Sequence, residues 1–393
     1  MSAMKRLFKL MADKSASDIF LSVSSPINIK INGLAMPVSQ QPMDAATILS
    51  LLHEVIDDRQ KKEYENTLEL NTAFTLEGVG TFRISAFRQK ASPAVVVRYI
   101  PRLIPAFDSL GLPQVLKEII LEKRGLILMV GATGAGKSTS LASMLDYRNE
   151  LKTGHILTLE DPIEYIFQNR KSIVNQREVG VDTLDYKIAL KNALRQAPDC
   201  ILIGEIRDKD IMSSAIAYAQ SGHLCLATLH ANNSYHAMNR IISFYPLENR
   251  PALLEDLSAT LKCVVSQRLV RNKQGARNAA FEIMMNTRHM AELISQGQMV
   301  EIKDAMEKSL TPGSQTFEQA LFKMLQDGSI TQEEALSNAD SATNLLWMIN
   351  NTAAGADLAK ARDRNEESRP PAGSGGSASF SDFKLDVDEA ERV

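Results

Sequence analysis

Four short clusters in this chain carry side chains that could do chemistry on a phosphate. Residues 125–140 read GLILMVGATGAGKSTS and fit the pattern GxxxxGK[ST] at Gly131, Gly136, Lys137 and Ser138. An apolar strand precedes the loop and the helix-compatible STSLASMLDYRN follows it, which is the context such a match requires. Glycines let backbone N–H groups turn inward around phosphate oxygens, so Thr133, Gly134, Ala135, Gly136 and Thr139 are expected to line a nucleoside triphosphate, with the helix offering its positive end. Lys137 can reach the β and γ phosphates, and the Ser138 hydroxyl can hold Mg²⁺.

Hydrolysis would further need an aligned water and positive charge against the transition state. In LTLEDPIEY an apolar strand ends in Glu160-Asp161, Pro162 stops it, and Glu164 follows as a candidate for orienting or deprotonating water. Asp161-Pro162 taken alone would be an ordinary solvated turn. In LRQAPDCILIGEIRD the run Cys200 to Ile203 looks buried on both faces, yet it stops at Gly204 and places Glu205 at the strand's end. Glu205 can reach Mg²⁺ there, with Gly204 leaving room for metal and phosphates, or it can simply pair with Arg207. In SGHLCLATLHANN, His223 and His230 bracket an apolar strand at an odd separation, so they would point to opposite faces and could not share a metal. One of them can sense the γ-phosphate while the other bonds within the fold. Arg83, Arg88 and Arg98 lie on alternating strands far upstream; on sequence alone they are solvated, unless that region packs on a neighbouring subunit and they act there as fingers.

The elements that must position these groups fall into three regions. Residues 1–100 read as a helix over MKRLFKLMADK, short strands DIFLSV, INIKIN and AMPV with a hairpin at Asn32-Gly33, helical periodicity from 44 to 65, and then alternating strands. This predicts an α+β domain with an antiparallel sheet. After a linker over 101–114, residues 115–350 alternate the apolar strands GLILMVG, HILTLE, CILIGE and HLCLATLH with helices, which implies a parallel sheet covered on both sides. Beyond about residue 245 the pattern reads as helices around one β-like stretch near Ala279 to Met285. Residues 351–393 are polar, carry Pro370-Pro371 and GSGGS, and predict a disordered tail.

A net charge of -3 among 393 residues, with no basic stripe interleaved with aromatics, argues against nucleic acid as a partner. Cys200, Cys225 and Cys263 form no CxxC pair, so neither a zinc module nor a disulfide framework is expected. No run approaches the roughly 18 apolar residues of a membrane span, and the N-terminus lacks a signal-peptide pattern. The expectation is a soluble cytoplasmic protein.

Together the ordered motifs GATGAGKST, LTLEDPIEY, LRQAPDCILIGEIRD and SGHLCLATLHAN resemble the secretion-superfamily hexameric ATPases of the type IV pilus retraction group, PilT and PilU, over roughly residues 3 to 350. VGATGAGKSTSLA, NALRQAPD and HLCLATLHANN look more like PilU than PilT. The resemblance implies a RecA-like P-loop ATPase domain behind a smaller PAS-like α+β domain, with a helical C-terminal region. It also implies ATP and Mg²⁺ as cofactors, a homohexamer, and work at the cytoplasmic face of the inner membrane on a pilus platform protein. It assigns Lys137 and Ser138 to phosphate and Mg²⁺, Glu164 to the general base, Glu205 to the Walker B acid, and His223 and His230 to the histidine box. It raises Arg83 and Arg98 to intersubunit contacts with nucleotide. PilT carries AIRNLIR where this chain has HMAELIS at 289–295, with Ala291 and Ser295 in place of arginines, and this departure implies an accessory to a PilT-type motor. The competing readings are a non-motor coupling subunit, or a DNA or protein translocase of the same superfamily.

Overall fold

In the computed structural model of the chain, which describes residues 2–351 except 32 and 102, the first hundred residues build a six-stranded antiparallel sheet with helices packed on one face. Helix α1 (Ala3–Asp13) buries Met4, Phe8 and Met11, the i, i+4, i+7 stripe of an amphipathic helix. Phe8 stacks on Phe82 of the sheet with ring centroids 4.1 Å apart. Strands β1 (Asp18–Ser22), β2 (Asn28–Ile31) and β3 (Leu34–Pro37) follow. Ile31 pairs with Leu34 across a two-residue hairpin whose Gly33 has φ +87°; its other residue, Asn32, lies outside the described residues.

The helical stretch expected over 44–65 is two helices, α2 (Ala45–His53) and α3 (Asp58–Thr67). The break comes from Asp57, whose side chain accepts from Gln60 N while Gln60 accepts from Asp57 N, a reciprocal capping box that starts a new helix. Strands β4 (Glu69–Leu76), β5 (Gly80–Gln89) and β6 (Ser92–Pro101) complete the sheet in the order β3-β2-β1-β6-β5-β4. On β5 the even positions Phe82, Ile84 and Ala86 are buried, so Arg83 projects from the opposite face, directly across from Arg98 of β6.

The chain then runs through α4 (Val115–Ile120), β7 (Gly125–Val130), α5 (Lys137–Leu151), β8 (Gly154–Glu160), β9 (Ser172–Glu178), α6 (Tyr186–Ala193), β10 (Cys200–Ile203), α7 (Lys209–Gln220), β11 (Leu224–Leu229), α8 (Ser234–Ser243), α9 (Arg250–Thr260), β12 (Leu261–Arg271), β13 (Arg277–Met285), α10 (Arg288–Ser295), α11 (Ile302–Glu307), α12 (Phe317–Gln326) and α13 (Gln332–Asn338). The strands form one sheet, β13-β12-β7-β11-β10-β8-β9, parallel except for the edge pair β12-β13. Separate apolar clusters cover its two faces, and every residue of β7, β10 and β11 is buried, as expected for a parallel sheet sandwiched by helices. The predicted tail lies outside the described residues.

One expectation fails here. Instead of a single β stretch after residue 245, β12 and β13 form a hairpin, and β12 sits beside β7 at the heart of the sheet. The polar triplet Ser266-Gln267-Arg268 disguised it. Each of the three has a buried or half-buried partner: Glu282 for Ser266, Ser140 for Gln267, and Asp340 for Arg268.

The registers align the strand ends. Ile203 of β10 lies level with Leu159 of β8 and Ala227 of β11, and Ala227 with Leu128 of β7. Gly204 N donates to Leu159 O at 2.7 Å, and Ile206 N to Thr228 O at 2.8 Å. A Cβ on Gly204 would come 2.8 Å from Tyr186 Oη, 3.1 Å from Leu159 O and 3.2 Å from Glu160 Cα. The glycine therefore admits the neighbouring strand and Tyr186, close approaches that the sequence reading, which had it clear room for metal and phosphates, did not include. Gly204→Ala is expected to lower folding stability by about 1–3 kcal/mol through overpacking, measured by chemical denaturation.

Candidate nucleotide site

Because β7, β11, β10 and β8 are adjacent and parallel, whatever follows each of them emerges at one edge of the sheet, where α/β proteins bind ligands. A cleft of about 570 Å³ lies there. One wall is the loop after β7 and the start of α5: Thr133, Gly134, Gly136, Lys137, Ser138 and Thr139. The opposite acids come from the ends of β8 and β10: Glu160, Asp161, Glu164 and Glu205. His230, from the end of β11, joins them, and the first sheet contributes Arg83 and Arg98.

The phosphate loop is held in shape from below. Gly131 (φ +155°) lies so close to Gln267 O that a Cβ would come within 2.6 Å of it, and a Cβ on Gly136 (φ +88°) would meet Gln267 Nε2 at 2.8 Å. Gln267, 2% exposed, accepts from Ser140 Oγ at 2.8 Å and so pins α5 to β12. Gly131 and Ala135 therefore shape the loop from behind, while the other predicted residues face the cleft. Lys137 donates to Gly131 O at 2.8 Å and Ala132 O at 3.0 Å. Burial pulls its ammonium below the usual lysine range, and the carboxylates of Glu205 and Glu164 push it back. Thr139 Oγ1 is 2.9 Å from Tyr165 Oη, tying α5 to the acidic turn.

On the acid wall, Glu205 bonds to Arg207 Nε at 2.8 Å and to His230 Nε2 at 3.2 Å, and the same guanidinium reaches Asp161 at 3.0 Å. Glu205 therefore pairs with Arg207, one of the two sequence readings, while also lining the cleft. Thr228 Oγ1 donates to Gly204 O, fixing the strand end that carries Glu205. Glu160 is buried and accepts from Thr158 Oγ1 at 2.6 Å and Gln176 Nε2 at 3.2 Å. Burial raises its carboxyl above the usual range. Ser138 and Glu205 present the hard oxygen donors that Mg²⁺ takes from proteins, which supply it one or two ligands and leave the rest to phosphate and water. Among the described residues no group of three or more His, Cys, Asp or Glu could hold a metal by itself.

The arginines are placed differently from expectation. Arg83 and Arg98 line the cleft of their own chain, with no neighbouring subunit needed to bring them there. Arg98 bonds to Asp18 at 2.9 Å; Arg83 has no hydrogen-bond or ion-pair partner among the described residues. Arg88 is elsewhere, donating to Ala91 O and lying over Tyr64, a structural role. His223 is also displaced. It precedes β11 whereas His230 follows it, a separation of about 20 Å along a six-residue strand, and its Nδ1 is taken by Ser221 Oγ at 3.0 Å. In its own chain it cannot touch a ligand in this cleft. Gln267, Tyr186 and Thr228 were missed by motif reading, although a Gln inside an apolar run was a visible signal for the first.

These features define a P-loop protein with a RecA-like sheet and a smaller PAS-like α+β sheet. Residues 2–337 match the sequence profile of the Type II/IV secretion system proteins, and the chain belongs to that family. It is 46% identical over 346 residues to the type IV pilus ATPase PilU of Pseudomonas aeruginosa, covering 88% of this chain and 91% of that protein. To the type IV pilus retraction ATPase PilT of the same species it is 37% identical over 338 residues, covering 86% and 98%. The crystal structure of the pilus retraction motor PilT with bound ADP has a TM-score of 0.79 at 36% identity, covering 87% of this chain and 98% of that one.

The raised carboxyl of Glu160 gives a pH signature. Its protonated form is favoured by the fold, so stability is intact in acid and is lost as pH rises through the folded-state value. Glu160→Gln keeps both accepted hydrogen bonds and removes the buried charge. It is expected to be more stable than wild type around pH 8, with the gain vanishing around pH 4, read from denaturant midpoints across that range.

Proposed function

We propose that this chain is an ATP-hydrolysing motor subunit of a type IV pilus machine, powering or assisting pilus retraction as a PilU-like partner of a PilT-type motor. The observation that carries the proposal is the convergence in one cleft of the phosphate loop, Glu164, Glu205, His230 and two arginines from the other sheet. Family membership and the likeness to PilU and PilT support the same reading.

Backbone N–H groups of 133–138 and the N-terminus of α5 bind the phosphates, and Lys137 turns from its loop carbonyls to the β and γ oxygens. Ser138 and Glu205 would hold Mg²⁺, which supplies charge neutralisation on those oxygens. Glu164, exposed and without a fixed partner on the acidic turn, orients the attacking water and accepts its proton. His230 reports the position of Glu205 through their contact. Arg83 and Arg98 place positive charge against the transferring phosphoryl group and draw the first sheet onto the cleft.

Cycles of that closure, repeated around a homohexamer at the cytoplasmic face of the inner membrane, would move the pilus platform protein and disassemble the fibre. Among the described residues no helix is long and apolar enough to cross a membrane, so attachment would run through partners. Ala291 and Ser295, on α10 where PilT has arginines, favour the accessory role. In assays of hydrolysis and of retraction, with and without a PilT-type partner, Lys137→Ala should abolish turnover. Glu164→Gln should lower kcat at least about 100-fold with KM nearly unchanged. Measurable turnover in Lys137→Ala, or kcat close to the wild-type value in Glu164→Gln, would contradict the assignment.

A further inference from the structure

Among the described residues that line the cleft, Tyr186 is the one whose buried side-chain polar atom has no hydrogen-bond partner. It is the first residue of α6, fixed by Asp185, whose carboxylate accepts from Ile188 N at 2.7 Å. The residue is 7% exposed, its ring is packed in the core under β10, and it lines the cleft at the acid wall. Its hydroxyl is buried with no hydrogen-bond partner among the described residues. An unpaired buried hydroxyl is uncommon and costly, and phenylalanine would fill the same space without that cost. The hydroxyl lies against Gly204, 2.8 Å from where a Cβ would stand, so the strand end has kept a glycine to admit it. Burial first, then the nearby charges of Asp161, Glu160 and Glu205, hold the phenol far above its ordinary pKa. It is a donor at any working pH.

Its surroundings suggest the missing acceptor. Arg207 bridges Glu205 and Asp161, so a movement of Glu205 that draws Arg207 with it would leave the Asp161 carboxylate without its cation. We propose that Tyr186 is a positioning residue held in reserve for that exchange: when Arg207 follows Glu205 away from Asp161, the Tyr186 hydroxyl donates to the Asp161 carboxylate and stabilises the opened acid wall. The inference rests on the ATPase reading above and adds to it a donor that acts only in the nucleotide-bound state. Tyr186 touches neither substrate nor reacting atoms in this account; it acts through Asp161.

The test is a double-mutant cycle of full-length wild type, Tyr186→Phe, Asp161→Asn and the pair, with ATP turnover, ADP affinity and thermal midpoint without nucleotide as readouts. Tyr186→Phe is expected to lower kcat about tenfold, the scale of one hydrogen bond to a charged group, while ADP affinity stays within about twofold and the nucleotide-free midpoint is unchanged or higher. In the Asp161→Asn background the same substitution should cost kcat little more. Wild-type kcat in Tyr186→Phe, a lowered nucleotide-free midpoint, or simple additivity of the two substitutions would each overturn the inference. Absence of turnover in the wild type would overturn the ATPase reading and this one with it, a distinct result.

Discussion

The hydrogen bonds that hold β10 between β8 and β11 are the constraint on which the site depends. They set Ile203 level with Leu159 and Ala227, and the bond from Gly204 N to Leu159 O carries the alignment past the last strand residue. With β11 in turn aligned on β7, the acid after β10, the histidine after β11, the acidic turn after β8 and the phosphate loop after β7 are delivered to one edge. No long-range charge attraction is needed to gather them. The apolar interior of the sheet, buried on both faces, does that work through backbone pairing, and the polar residues ride on its ends.

The other side of the cleft follows a different logic. Arg83 and Arg98 are direct cross-strand neighbours, and like charges opposite one another on a sheet are unfavourable on their own. Asp18 offsets only one of them. The remaining positive charge faces a cleft whose far wall carries Lys137 and the amino end of a 15-residue helix. A polyphosphate entering there would meet positive charge from both sides, which gives the proposed motor a physical reason for motion of one sheet against the other. On the acid wall Arg207 offsets part of the charge of Glu205 and Asp161, while Glu164 stays unpaired among the described residues.

Much of this was legible in the sequence, and the reasons are specific. GLILMVG, HILTLE, CILIGE and HLCLATLH are buried on both faces, so their apolar runs marked the central strands, and the residues ending each run marked the site. β12 escaped because its polar residues are paired inside the protein, and pairing between Gln267 and Ser140 over 127 positions leaves no local trace. The place of Arg83 and Arg98 in their own chain's cleft depends on how the two sheets meet, which no periodicity encodes. Gly204 was singled out for a real reason, but the crowding atoms belong to Tyr186 and β8. His223 shared a motif with His230, yet a motif spanning a strand puts its two ends on opposite edges of the sheet.

The central claim is that one chain supplies both walls of its nucleotide cleft. It is tested most directly by measuring ATP affinity of the wild type and of the Arg83→Ala, Arg98→Ala double variant at concentrations too low for subunits to assemble. If the arginines serve their own chain, the dilute double variant binds ATP at least about tenfold more weakly than the dilute wild type, the loss of charge-assisted contacts to phosphate. Equal affinity in the dilute proteins, with a difference appearing only once subunits assemble, would mean that the arginines work across a subunit boundary and would contradict the account.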